Sequence, residues 1–131
     1  MGRKIAIKGH PTRGNEVIEL LEMMGGINES NHSGKGENSI YYLRYYVDNV
    51  VADILYQTYP NTNDDDFKIF TLEEFLERFP YKVGDEFCSP YDKITEMFWD
   101  EEDEWVYYKT EKSEGFITAL DIMTDSYARS R

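Results

Sequence analysis

Cysteine is all but missing from this chain of 131 residues. The single thiol, Cys88, excludes an intramolecular disulfide, and a structural zinc site lacks the thiol and imidazole pairs it needs. That usage suits a reducing compartment, so a cytoplasmic location is expected. Histidine is almost as scarce. His10 and His32 are the whole supply, no G-x-S-x-G nucleophile is present, and Cys88 has no evident His partner. No catalytic residue, metal ligand or cofactor is assigned, and enzymatic activity is not expected. Long apolar runs are missing as well. The N-terminus carries Arg3 and Lys4 but no apolar h-region, and no run approaches the length of a membrane span. A soluble, unexported protein with no membrane partner is expected.

Positive charge is the last shortage. Fourteen Lys and Arg face twenty-six Asp and Glu, a net charge of −12. The deficit is uneven. Residues 1–15 hold Arg3, Lys4, Lys8 and Arg13 and no acid, whereas residues 61–104 hold fifteen acids against four bases. A field of that sign repels duplex nucleic acid at range, so direct duplex binding is not expected. The bland reading of the acids is solubility, and the sharper one is mimicry of DNA. Calcium is rejected on spacing. Counting a loop from Asn63 puts Glu74 twelfth, but Lys68 stands sixth, where an EF-hand needs glycine.

What is present suits a small packed protein. Forty per cent of residues are apolar, and eleven Tyr offer rings that bury while their hydroxyls reach out. Ile5, Ala6 and Ile7 read as a strand covered on both faces. Gly9-His10-Pro11 breaks it. Val17, Ile18, Leu20, Leu21 and Met24 form one helical stripe, with Thr12 or Asn15 as N-cap and Gly25-Gly26 as the stop. Residues 28–38 have no apolar residue and read as a mobile loop or a lid. Strands follow at 40–46 and 50–56, joined by a turn at Asp48-Asn49. Thr71 and Glu74 make a capping box, and Phe70 with Phe75 a hydrophobic staple, at the start of a helix over 72–79. Four short β-runs come after Tyr81, with turns at 88–92, 100–103 and 111–114. The "KVGD" entry and a closing short turn over 120–123 resemble a small SH3-like barrel. The fold class expected is α+β. A small mixed sheet with two helices occupies 1–80, an SH3-like β-barrel 81–124, and a disordered tail 125–131. The barrel is too small to be stable alone and is expected to pack on the first half.

Two places could bind something. The first is the strand–loop–helix turn at Lys8–Gly14. Backbone N–H groups at a helix start attract anions. Lys8 and Arg13 add charge, Thr12 and His10 can donate hydrogen bonds, and Gly9 and Gly14 let a ligand reach the backbone. The spacing matches neither the Walker loop nor G-x-G-x-x-G, so phosphate would be held there and not transferred. Tyr42, Arg44 and Tyr46 share one strand face and are candidates for stacking a base or ribose. The plain alternative is a βα turn whose bases only solubilise it. The second place is Asp100, Glu101, Glu102, Asp103 and Glu104, five acids between Trp99 and Trp105. They read as a solvated hairpin tip or as an acidic prow for a basic groove.

The segments KIAIKGHPTRGNEVIELLEMMGG and FTLEEFLERFPYKVGD resemble a family of small proteins of phages and prophages of gut bacteria. The resemblance covers both halves of the chain. It implies an anti-defence accessory protein acting in the cytoplasm of the bacterial host cell. The expected function is to bind and sequester a phosphorylated small molecule, a cyclic or ADP-ribose-derived nucleotide immune signal, as a homo-oligomer. The alternative is an acidic, DNA-mimic inhibitor that binds a host defence protein such as a CRISPR nuclease.

Overall fold

The computed structural model describes residues 2–45, 52–58, 66–88 and 91–129. The expected turn at Asp48-Asn49, Tyr46 and the acidic stretch 61–65 lie outside these residues. In chain order the elements are β1 (Lys4–Lys8), α1 (Gly14–Met23), β2 (Gly26–Ile27), β3 (Ser39–Tyr45), β4 (Ala52–Thr58) and β5 (Phe67–Phe70). There follow α2 (Leu72–Arg78), β6 (Glu86–Cys88), β7 (Tyr91–Asp100), β8 (Trp105–Thr110) and α3 (Ala119–Arg129). The first five strands make one mixed sheet in the order β2-β4-β3-β1-β5, and β6-β7-β8 make a second, antiparallel sheet.

β1 lies inside the first sheet, antiparallel to β3 and parallel to β5. Its three consecutive apolar residues have two faces to fill. Ile5, Ala6 and Ile7 are at most 1% exposed. Ile5 and Ile7 enter the main core, while Ala6 meets Ile40 and Phe67 on the opposite face. α1 lays Val17, Ile18, Leu20 and Leu21 into the main core. It ends at Gly25, whose φ of 101° is a left-handed conformation that favours glycine. Its start differs from the sequence expectation. Neither Thr12 nor Asn15 is the N-cap. Arg13 holds that position and makes no side-chain cap of its own. The Nδ1 atom of His10 accepts the N–H of Arg13 at 3.0 Å and of Thr12 at 3.3 Å. The turn at 11–13 folds the imidazole back over the helix start.

α2 begins as its sequence dictates. Glu74 N–H donates to Thr71 Oγ1 at 3.1 Å, and Thr71 N–H to Glu74 Oε1 at 3.0 Å. The Phe70 and Phe75 rings meet edge-on at 5.7 Å. The second half departs from its pattern. β6-β7-β8 stay an open sheet, extended only by a bridge between Tyr108 and Ile117. Among the described residues no strand closes them into an SH3-like barrel. The inward face has another use: Ile94, Met97, Trp99, Val106 and Tyr108 join the same core as Ile5, Leu21 and Phe75. The two expected units therefore share one hydrophobic interior. Residues 119–129 form α3, where a short turn and a tail were expected. A second capping box starts it, with Asp121 N–H on Thr118 Oγ1 at 3.2 Å and Thr118 N–H on Asp121 Oδ2 at 3.0 Å. Its own Ala119 and Ile122 are buried in the core.

The local origin of α2 is testable. Thr71→Ala removes the cap oxygen and should cost about 1 kcal/mol of stability, read by urea denaturation. Adding Glu74→Ala should cost less than the sum of the single changes, because the box is reciprocal.

Candidate functional site

A phosphate cradle in the β1–α1 loop would need free backbone N–H groups. Four of them are already engaged, although the helix start at Gly14 carries no side-chain cap. Gly9 N–H donates to Ser39 O at 3.0 Å and His10 N–H to Gly34 O at 2.9 Å. Those of Thr12 and Arg13 go to His10 Nδ1. Two of these acceptors come from in and just beyond the 28–38 segment, which is tied down and not a loose lid. The Asn28 side chain grips His32 O at 3.0 Å and His32 N–H at 2.9 Å. The His32 ring sits 6.0 Å from that of Tyr41 and 5.1 Å from that of Tyr56. Gly36 N–H donates to Tyr41 Oη at 3.2 Å. The loop glycines serve this packing. A Cβ on Gly9 would stand 2.0 Å from Gly36 O, and one on Gly14 2.4 Å from Ser33 O.

Carboxylates engage the loop's Arg13 and His10 side chains. Arg13 forks onto Glu16, with Nη2 2.9 Å from Oε1 and Nε on Oε2. Its Nη1 is 3.9 Å from Glu73. The hydrogen bond from Arg13 holds the Glu16 carboxyl below its ordinary range, and Glu16 raises Arg13 in return. His10 Nε2 lies 2.9 Å from Glu73 Oε2. Because Nδ1 accepts two backbone N–H groups, the bonding assigns the ring hydrogen to Nε2, which donates it to Glu73. The stacking candidates lie elsewhere. Tyr42 packs on Phe67 at 4.7 Å on the sheet face away from α1, and exposed Arg44 sits 3.6 Å from Asp53. Alternation along β1 puts Lys8 on that same face. Lys8 borders a groove of about 450 Å³ with Arg3, Lys68 and Thr71. The predicted set is therefore split between a strand face and a loop whose Gly9, His10, Thr12 and Arg13 N–H groups are taken.

The acidic tip is a built structure. Trp99, 1% exposed, donates its Nε1–H to Arg3 O at 2.9 Å. Asp100 Oδ1 accepts Glu102 N–H at 2.8 Å and Asp103 N–H at 3.3 Å. Asp103 accepts the Tyr107 hydroxyl at 2.6 Å. Glu104 takes the Arg3 guanidinium at 2.8 and 2.9 Å and the Arg3 N–H at 3.0 Å. Three of the five acids thus organise the tip. Glu101 and Glu102 have no ion pair among the described residues. Beside them runs a groove of about 770 Å³ that the sequence reading missed. Met23, Met24, Met97, Phe98 and Phe116 line it, and Glu22, Glu96, Asp100, Glu101 and Glu102 also border it. Phe98 and Phe116 are 40% and 49% exposed, with rings 5.4 Å apart. Its one sequence signal is Glu96-x-Phe98-x-Asp100, an apolar ring placed between acids on one strand face.

The Arg3–Glu104 pair predicts a pH dependence. Hydrogen bonds from Arg3 hold the Glu104 carboxyl at about 2, against an ordinary 4.5. A folded-state value below the unfolded one gives stability that is present above about pH 4.5 and is lost as pH falls toward about 2. Glu104→Gln should lower Tm at pH 7 and flatten the loss of stability across that window, as chemical denaturation at stepped pH would show.

Among the described residues no group of His, Cys, Asp and Glu could hold a metal ion, and no helix is long and apolar enough to cross a membrane. No protein-family model, no curated protein and no solved structure matches the chain.

Proposed function

We propose that the chain is a non-enzymatic binding protein that docks its acidic β7–β8 tip, and the groove beside it, on a basic surface of a partner protein. One observation carries this reading. The projecting acids Glu101 and Glu102 border a groove that also exposes Phe98 and Phe116. Aromatic anchors flanked by charge are the makings of a specific protein interface, the charge speeding encounter and the rings supplying affinity. The phage-family resemblance supplies the context of an inhibitor of a CRISPR or other defence nuclease, whose nucleic-acid channel is basic. The test is cleavage of labelled DNA by a panel of such nucleases in the presence of the purified protein. At least one should be inhibited, and the double substitution Glu101→Lys with Glu102→Lys should weaken inhibition about tenfold or more. Equal inhibition by both forms, or none across the panel, rejects the reading.

A second reading keeps a phosphorylated small ligand, a cyclic or ADP-ribose-derived nucleotide, sequestered by a homo-oligomer. It is supported by the groove that Lys8 and Lys68 border, and no longer by Arg13, which is held by Glu16. Thermal-shift titration with cyclic dinucleotides, cyclic trinucleotides and cyclic ADP-ribose isomers should then raise Tm, with the gain lost in Lys8→Ala. A flat response to every nucleotide sinks it.

A further inference from the structure

The groove beside the acidic tip contains a strand edge that no described strand pairs. In an antiparallel ladder, successive residues turn their N–H and C=O groups alternately toward and away from the partner strand. Tyr108 exchanges both of its backbone bonds with Ile117, each at 2.6 Å. Met97 stands opposite Tyr108 in the register, so its own N–H and C=O point away from β8. Alternation turns Trp99 the same way, and turns Phe98 and Asp100 toward β8. On the far side of β7, β6 pairs only with residues 91–93. The next bonds on that side are at Ile94, whose N–H donates to Asp85 O and whose C=O accepts Gly84 N–H, both at 2.9 Å. A register shift follows between Ile94 and Glu96. Beyond it, no described strand pairs with this edge of β7.

Edges of this kind are normally shortened, covered or guarded by lysine. Here the edge borders the 770 Å³ groove along residues 95–102, and among the described residues no Lys or Arg lines that groove. The two faces along the edge differ. Glu96, Phe98 and Asp100 lie on the outer face, while Met97 and Trp99 turn inward to the core and Met24.

We infer that this edge accepts an extended basic segment of a partner protein, added as a strand alongside Thr95–Asp100. The inference rests on the acidic surface being the docking face, and it names what docks there. Main-chain bonds to Met97 and Trp99 set the register. Alternate apolar side chains of the segment meet Met23 and Met24. Its Lys or Arg residues meet Glu96, Asp100 and the face of Phe98. A helical segment would match the charge but leave the Met97 and Trp99 backbone groups without partners in the interface.

Amide hydrogen exchange on the full chain gives the first test. With an open edge, the Met97 and Trp99 amides should exchange about tenfold or more faster than those of Phe98 and Asp100. Slow exchange at Met97 and Trp99 in the free protein means the edge is already covered, and overturns the inference. The second test uses an acetylated decapeptide alternating Lys and Val, compared by calorimetry with the same peptide N-methylated at its four central amides. The parent peptide should bind and slow exchange at Met97 and Trp99. The methylated one should bind about tenfold or more weakly, since it cannot make the main-chain bonds. Equal binding of the two, or no binding of the parent, overturns strand addition. So does tighter binding of an amphipathic Leu/Lys helical peptide. Failure of the docking reading itself shows separately, in the nuclease assay with the Glu101 and Glu102 substitutions.

Discussion

The indole of Trp99 holds the two sheets in one orientation. Its Nε1–H reaches the carbonyl of Arg3, immediately before β1, and its ring meets Phe70 edge-on at 6.1 Å at the end of β5. A buried indole needs a hydrogen-bond partner, and the chain supplies one from nearly a hundred residues away. Arg3 then carries the connection to the surface, because its guanidinium and N–H both end on Glu104. These contacts fix the hairpin tip against the ends of β1 and β5.

In a chain of charge −12 the few bases are put to internal use. Arg13 is held by Glu16, Arg3 by Glu104, and Arg44 stands beside Asp53. The basic island at the N-terminal end is real in sequence, but in space it is interleaved with carboxylates from α1 and α2 and from the tip. A phosphate entering the β1–α1 loop would meet Glu16 and Glu73 and no free N–H at Gly9, His10, Thr12 or Arg13. Of the five tip acids, Glu101 and Glu102 have no ion pair among the described residues, and they stand next to exposed aromatic surface. That placement moves the functional weight from the opening loop to the far hairpin.

Short-range features were legible because their partners are near in the chain. The Thr71–Glu74 box, the Phe70–Phe75 staple and the Gly25 stop each involve residues a few positions apart. β1 was legible because three apolar residues in a row can only be buried on two faces. The Thr118–Asp121 box had the same local grammar, yet the polar run after it hid α3. The His10 contact obeys no common pattern, since its ring nitrogen accepts the N–H groups of Thr12 and Arg13, just before the helix, and the helix start itself has no side-chain cap. The SH3-like pattern misled because strand order along the chain does not say which face a neighbouring domain half will cover.

By itself the sequence determined the buried stripes of β1, α1 and α2, where α2 starts, where α1 stops and the sign of the surface. Those follow from hydrophobicity, local bonding and charge, which travel with each residue. Only the tertiary structure decided that the N–H groups of Gly9, His10, Thr12 and Arg13 are taken, that three tip acids are structural, and that no described strand pairs with one edge of β7 beside an acidic groove. Each of these depends on where a backbone N–H or a carboxylate finds its partner. The partners are Ser39 for Gly9, Arg3 for Glu104 and Ile117 for Tyr108, and folding alone brings them together.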